Sequence, residues 1–220
     1  MTISITRTVK SSLVENLRDQ ILQGQVVPGQ YLRLEEIATQ YDVSTTPVRE
    51  ALRALESEGL VTIYPHRGAI VTKLSADDLR DIYDIRAALE AMATRLAVPN
   101  LTTKEIAQLV SYIEQMDNHM GELLTLVKLN HQFHISLYKA SGRRHLCELT
   151  TMLRYRTQHY LHAVITHLGG MSLAQSEHQS IVDACKQGDA EQAAAIVFNH
   201  VNHVGSSLIE YVRQLEANQD

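Results

Sequence analysis

The chain of 220 residues is poor in cysteine and has no long apolar run. Its two cysteines, Cys147 and Cys185, form no C-x-x-C pair and occur in helical patterns, so we expect reduced, buried thiols. No apolar stretch approaches the ~18 residues of a membrane span, and the chain does not open with a cationic segment followed by an apolar one. These absences predict a cytoplasmic protein with no membrane partner.

Proline and histidine are distributed unevenly along the chain. All four prolines lie within the first 99 residues, and ten of the eleven histidines lie from His119 onward. This shift predicts two domains, residues 1–74 and 75–220. The first contains eight basic and eight acidic residues, whereas the second contains twelve basic and seventeen acidic residues and should repel nucleic acid.

The segment from Val43 to Leu60 predicts an amphipathic helix with both ends marked. Its apolar stripe repeats at i, i+3, i+4 and i+7 and consists of Val48, Ala51, Leu52 and Leu55. The opposite, solvent-facing side carries Thr45, Thr46, Arg49 and Arg53. Pro47 is tolerated only in a first helical turn, so the N-cap is Ser44 or Thr46, and Gly59 ends the helix. A polar, basic helix of about three turns suits the major groove of DNA.

The surrounding segments complete a winged helix-turn-helix. We expect helices at about 7–23 and 34–41 before this helix, and a β-hairpin of residues 60–64 and 69–73 after it. The hairpin turn is Pro65-His66-Arg67-Gly68, which offers a cation to phosphate or to a narrow minor groove. The candidate DNA-binding residues are Arg33, Ser44, Thr45, Thr46, Arg49, Arg53, His66, Arg67 and Gly68. A small structural or protein-binding domain is the alternative.

The rest of the chain predicts an all-α antiparallel bundle. Amphipathic segments run over about 76–98, 103–120, 123–140, 145–167, 173–186 and 190–214. No β pattern interrupts them, so the fold class is mostly α, with a small β-hairpin wing in the first domain.

Four polar residues interrupt the apolar stripes of this bundle: Asn130, His134, His178 and His200. Asn130 and His134 lie one helical turn apart and face inward. Imidazole nitrogens with an amide oxygen suit a borderline divalent ion such as zinc, nickel, manganese or iron. Each histidine alone could equally be a hydrogen-bonded core residue, but buried polar groups need partners, and one shared ion supplies them together.

Two arginines are candidates for binding a small carboxylate effector. Arg86 lies on an apolar stripe with Glu90 one turn below, and Arg156 lies on the stripe of a later helix. Arginine binds carboxylates bidentately. A plain ion pair between Arg86 and Glu90 is the alternative.

Residues 1–74 resemble the winged helix of the GntR family of bacterial repressors. The resemblance rests on the block from Ser44 to Leu52, on Glu58-Gly59-Leu60-Val61 and on Arg67-Gly68 at the family's spacing. It implies DNA contacts by Arg33, Ser44, Thr46 and Arg49, with Arg67-Gly68 at the wing tip. Many members carry arginine where this chain has Thr45, so we expect a bidentate guanine contact to be missing.

Residues 75–211 are similar to the FCD ligand-binding domain of the FadR-type GntR subfamily. The shared motifs are Arg86 to Glu90, Asn130 to His134, Ser141-Gly142, Glu177-His178 and His200. Members with this set often hold a divalent metal through one Asp and three His, and many respond to small carboxylates. Asn130 replaces the usual Asp, and a neutral amide should weaken metal binding and change its selectivity.

The sequence therefore predicts a homodimeric, ligand-responsive transcription regulator, a repressor, because a neutral winged domain needs two DNA half-sites. The alternative from another class is a metal-dependent hydrolase or lyase fused to a helix-turn-helix. Against it, there is no H-E-x-x-H motif, and Glu177 points about 100° away from its neighbour His178 around the helix. A purely structural metal or an empty site is a third possibility.

Overall fold

The structure is a computed structural model that describes residues 8–64, 68–158, 160 and 171–218, with only the backbone of 171 and 172. Residue contacts divide the chain into two compact units, Met1–Lys73 and Leu74–Asp220. The predicted domain boundary, between Leu74 and Ser75, lies one residue after the boundary between these two units.

Three helices of the first unit form the predicted helix-turn-helix: α1 (Val9–Leu22), α2 (Leu34–Gln40) and α3 (Thr45–Ser57). Ser44 is the N-cap of α3, and Gly59 follows the helix with a φ of +75°, which a glycine adopts without a steric penalty. The predicted apolar stripe of α3 is buried, so its polar side is left for solvent.

The wing is a three-stranded antiparallel sheet of β1 (Tyr31–Leu32), β2 (Val61–Tyr64) and β3 (Gly68–Val71), in the order β1-β3-β2. The predicted hairpin is β2 paired with β3. Strand β1 was not predicted, because two residues are too short to show a strand period. A Cβ at Gly68 would lie 2.2 Å from the carbonyl oxygen of Leu32, so pairing with β1 requires glycine there.

The second unit is helical over its described residues. Its helices are α4 (Ala76–Ala97), a 3₁₀ turn (Val98–Asn100), α5 (Thr103–Asn118), α6 (Leu123–Lys139), α7 (Arg144–Gln158), α8 (Met171–Gln187) and α9 (Ala190–Ala217). Capping boxes begin α4 at Ser75 and α5 at Thr102. The predicted helix over 145–167 extends to Gln158, and residues 159 and 161–167 lie outside the described residues.

The core of this unit is built around α4, which packs along α9. The approach is so close at Gly205 that a Cβ there would lie 2.7 Å from the ring of Tyr83. Cys147 and Cys185 are both free, as predicted, but Cys147 is half-buried and only Cys185 is buried. Burial raises the pKa of the Cys185 thiol to about 11. Among the described helices, none has the length and apolar character needed to cross a membrane.

Candidate metal centre and nucleic-acid interface

The exposed side of α3 forms the candidate nucleic-acid interface. Thr46, Arg49 and Arg53 are exposed there, whereas Thr45 is half-buried. Arg49 and Arg53 lie one turn apart, and neither has a hydrogen-bond or ion-pair partner among the described residues. Two guanidinium groups on one helical face can therefore contact DNA without first breaking an interaction with a described residue.

The other candidate DNA-binding residues flank this face or lie beyond the described chain. Ser44 is exposed at the start of α3. Arg33 is exposed and pairs with Glu36 at 3.2 Å, with about two thirds of each side chain exposed (66% for both). Such a surface pair contributes little stability, so a phosphate can replace Glu36. Gly68 begins β3, whereas His66 and Arg67 lie outside the described residues.

The predicted histidine cluster is present in the helical unit. His134 on α6, His178 on α8 and His200 on α9 each offer one ring nitrogen, and these atoms lie within 4.8 Å of one another. The Nε2 atoms of His134 and His178 are 3.2 Å apart. All three side chains are buried, with exposed fractions of 0%, 1% and 5%. Asn130 lies one turn before His134 on α6 and is half-buried.

Burial determines the protonation of two of these rings. It lowers the pKa of His134 well below 6.5, and the nearby charge of Arg154 lowers it further. Burial also lowers the pKa of His178 well below 6.5, with a further contribution from His200. Both imidazoles are therefore neutral at pH 7, which is the form that binds metal.

An oxygen of another side chain holds the Nδ1 atom of each ring. The three pairs are His134 with Tyr138 Oη at 3.0 Å, His178 with Gln175 Oε1 at 3.1 Å and His200 with Glu177 Oε2 at 2.7 Å. The second oxygen of Glu177 contacts Nδ1 of His203 at 2.6 Å. Metal-binding histidines in proteins commonly have partners of this kind, which fix the orientation of the ring.

A buried carboxylate, Glu90, lies behind the cluster. It accepts hydrogen bonds from Arg86 Nε at 2.8 Å, from Arg154 Nη1 at 2.8 Å and from the Tyr138 hydroxyl at 2.5 Å. Burial alone would raise the pKa of Glu90, but the charges of Arg86 and Arg154 outweigh it and lower the pKa to about 2. Arg86 also donates to Thr157 at 2.9 Å. The ion pair between Arg86 and Glu90 that the sequence offered as an alternative is thus present.

Sequence reasoning missed Arg154 because it assigned the wrong face of α7. The buried residues of α7 are Thr150, Leu153, Arg154, Thr157 and Gln158. Arg156 is half-buried and lies off that face. Thr150, Leu153 and Thr157 repeat at i, i+3 and i+7, and this polar-rich stripe was the available signal. Glu177 was predicted to point away from His178, but it contacts His200, another member of the cluster, and His203 on α9.

Family models match both units. Residues 9–71 match the model of bacterial regulatory proteins of the gntR family, and residues 81–203 match that of the FCD domain. The chain belongs to the GntR family. The resemblance of each region to its predicted family is thereby confirmed.

Individual GntR relatives cover most of this chain. The transcriptional regulator YdhC of Bacillus subtilis is 30% identical, in an alignment that covers 85% of this chain and 85% of YdhC. The repressor GlaR of Escherichia coli is 28% identical, in an alignment that covers 84% of this chain and 89% of GlaR. The solved structure of E. coli McbR/YncC has a TM-score of 0.78 at 26% identity, covering 96% of this chain and 100% of that one. The GntR relatives are transcription regulators rather than enzymes, so the hydrolase or lyase alternative is not supported.

Proposed function

We propose that this GntR-family protein is a cytoplasmic, homodimeric repressor that responds to a small organic acid bound beside a divalent metal in its helical unit. The observation that carries the proposal is the buried cluster of His134, His178 and His200, in a chain whose α3 exposes Arg49 and Arg53 on one face. The similarity to GlaR, which is named a repressor, supports the direction of regulation.

The chemistry of the donor set fits a borderline divalent ion. Three buried imidazoles supply nitrogen, and Asn130 one turn before His134 is the candidate oxygen ligand. Mg²⁺ and Ca²⁺ prefer sites made of oxygen ligands, whereas zinc, nickel, manganese and iron accept imidazole. A bound ion would supply positive charge and open coordination positions for a carboxylate.

Elemental analysis tests the metal assignment directly. The purified protein should contain close to one equivalent of a divalent metal, and the triple variant His134→Ala/His178→Ala/His200→Ala should contain none. His145→Ala is the matched control, since the ring of His145 is 90% exposed and outside the cluster. A full metal content in the triple variant, with its helical circular dichroism retained, would contradict the assignment.

An incompletely bonded arginine supports an acidic effector. Arg154 is 7% exposed, and its Nε has no hydrogen-bond partner among the described residues. The same holds for Oε1 of Gln158, one turn further along α7. Buried polar atoms normally have partners, so these atoms are candidates for ligand contacts. We therefore propose that Arg154 takes the place of Arg156 as the carboxylate-binding residue of α7, beside Arg86 of α4.

The effector assignment is tested by titrating a panel of small carboxylates into the metal-loaded protein, with binding followed by calorimetry. We expect Arg154→Met, in samples whose helical circular dichroism matches that of wild type, to lose binding of the acid that wild type selects, because methionine keeps the aliphatic volume without the donors. Arg144→Met is the control, since the Arg144 side chain is 83% exposed. Equal affinity in wild type and Arg154→Met would exclude Arg154 as the carboxylate-binding residue.

Exposed apolar residues on two helices support a homodimer. Ile85 and Met92 lie two turns apart on one face of α4, and Leu149 and Met152 lie one turn apart on α7, which packs against α4. Their exposed fractions are 40–51%. We propose that a second copy covers them, since a winged domain with no net charge needs two DNA half-sites. Met92→Glu should then convert the dimer to monomer in analytical ultracentrifugation, whereas a monomeric wild type would exclude this assembly.

Selection of DNA duplexes from a random library tests the regulatory function. Wild type should enrich a sequence with two half-sites, and Arg49→Ala should bind that duplex about 5- to 150-fold more weakly, the equivalent of 1 to 3 kcal/mol for a good specific contact. Arg80→Ala in the helical unit is the control. Equal affinity of Arg49→Ala and wild type at matched salt would refute the interface.

A further inference from the structure

The Tyr138 hydroxyl lies between a buried carboxylate and a metal-binding candidate. Its oxygen is 2.5 Å from Glu90 Oε2 and 3.0 Å from His134 Nδ1. A tyrosine hydroxyl has one proton to donate and lone pairs to accept with. Which neighbour receives that proton decides the tautomer of His134.

The charges around Glu90 decide where this proton lies. Arg86 and Arg154 each donate to a different oxygen of Glu90 at 2.8 Å, so the carboxylate is ionised and can only accept hydrogen bonds. The short contact with Tyr138 is therefore a charge-assisted bond in which the phenol donates. Only the lone pairs of Tyr138 remain available to His134.

We infer that Tyr138 is a positioning residue that holds His134 in the Nδ1-protonated tautomer and turns the Nε2 lone pair of that ring toward the cluster. The inference extends to metal affinity, and in that part it rests on the proposed function. Glu90 acts through Tyr138: it accepts the proton of the Tyr138 hydroxyl in a hydrogen bond, so Tyr138 cannot donate that proton to His134.

An independent set of contacts determines the tautomer of His178. The amide nitrogen of Gln175 donates to Asp117 Oδ1 at 2.8 Å and to the carbonyl oxygen of Ile113 at 3.4 Å. The amide oxygen of Gln175 therefore faces His178 and accepts from its Nδ1–H. The lone pair of His178 Nε2 is then left to face the cluster.

Two lone pairs thus face each other across the 3.2 Å that separates Nε2 of His134 from Nε2 of His178. The bonds to Tyr138 and Gln175 hold the two rings in this arrangement despite the repulsion, and a cation between the nitrogens would relieve it, so the outer hydrogen bonds prepare the cluster for a metal. Without the Tyr138 oxygen, His134 would adopt the other tautomer and donate from Nε2 to His178. That bond satisfies both rings and competes with the ion.

The test compares wild type, Tyr138→Phe and Tyr160→Phe. Tyr160→Phe is the matched control, because it also removes a buried tyrosine hydroxyl, and the Tyr160 hydroxyl is hydrogen-bonded to the backbone of Leu74. In metal-free protein at neutral pH, ¹⁵N NMR of the imidazoles reports which nitrogen of His134 is protonated, with assignment from a His134→Ala sample. Competition with a chelator measures Zn²⁺ affinity.

We expect His134 to be protonated at Nδ1 in wild type and Tyr160→Phe, and at Nε2 in Tyr138→Phe. Zn²⁺ affinity should fall about 10- to 100-fold in Tyr138→Phe alone, the usual effect of losing an outer partner of a metal-binding histidine. A wild-type His134 protonated at Nε2, or a Tyr138→Phe variant with unchanged tautomer and affinity, would overturn the inference. The tautomer is measured without metal. If wild type binds no Zn²⁺, the proposed metal site and the predicted change in affinity are therefore wrong, whereas the tautomer measurement still tests the role of Tyr138.

Discussion

Replacing Glu90 by glutamine should strongly destabilise the helical unit. Glu90 is fully buried and is the carboxylate partner of both Arg86 and Arg154. Glutamine keeps the shape of the side chain but removes its charge, and its amide group would face two buried guanidinium ions. Removing one partner of a buried ion pair leaves an uncompensated charge, at a cost of about 3 to 5 kcal/mol.

The pKa of Glu90 leads to a similar magnitude. A pKa of about 2 in the folded protein, against 4.5 for an ordinary glutamate, corresponds to about 3 kcal/mol of stability, since each pKa unit is worth about 1.4 kcal/mol. For a carboxyl with a lowered folded pKa, this contribution is complete above pH 4.5 and is lost as the pH falls toward 2.

Urea unfolding of the metal-free protein, followed by circular dichroism, measures this loss. A loss of about 3 kcal/mol, divided by a slope of about 1 to 3 kcal/mol per molar urea, should lower the unfolding midpoint of Glu90→Gln by about 1 to 3 M. Glu148→Gln is a matched control, because Arg144 and Glu148 have the same spacing and the same 2.8 Å Nε–Oε1 distance as the buried pair but are exposed. The control should unfold at the wild-type midpoint, since surface ion pairs contribute little.

Two results would refute this reasoning. One is a Glu90→Gln midpoint equal to that of Glu148→Gln at neutral pH. The other is a stability difference between wild type and Glu90→Gln that does not shrink below pH 4.5, where wild-type Glu90 begins to lose its advantage.

Three further predictions follow from other contacts. Because the pKa values of His134 and His178 are lowered in the folded protein, the unfolded chain binds more protons than the folded one below pH 6.5. The stability of the metal-free protein should therefore fall as the pH drops through that value. A flat stability profile between about pH 7.5 and 5.5 would contradict this. Gly205→Ala should lower the thermal unfolding midpoint, because the alanine Cβ would lie 2.7 Å from Tyr83. Overpacking of this kind costs about 1 to 3 kcal/mol, whereas the gain in helix propensity is ~1 kcal/mol. A higher midpoint would show that the Tyr83 side chain moves aside freely. Glu177→Gln should weaken Zn²⁺ binding about 10-fold or more in chelator competition, since the carboxylate bond to the third histidine is lost, and unchanged affinity would exclude this role.

The sequence alone was sufficient for the elements whose signals are local. The helix of Arg49 and Arg53 was predictable because its period, its N-cap Ser44 and its terminal Gly59 all lie within one short segment. The three histidines were predictable as a group because each interrupts an apolar stripe, and inward faces of one bundle must meet. Strand β1 was not predictable, because its two residues become a strand only by pairing with β3.

Only the tertiary structure decided which groups the histidines and arginines contact. Tyr138 reads as an apolar core residue in its own helix, and its hydroxyl acquires a role only where Glu90 of α4 reaches it. Likewise, Arg154 rather than Arg156 reaches Glu90, a choice that depends on the rotation of α7 about its axis. Helical periodicity specifies faces within one segment, but hydrogen bonds between helices depend on packing angles and offsets that no single segment encodes.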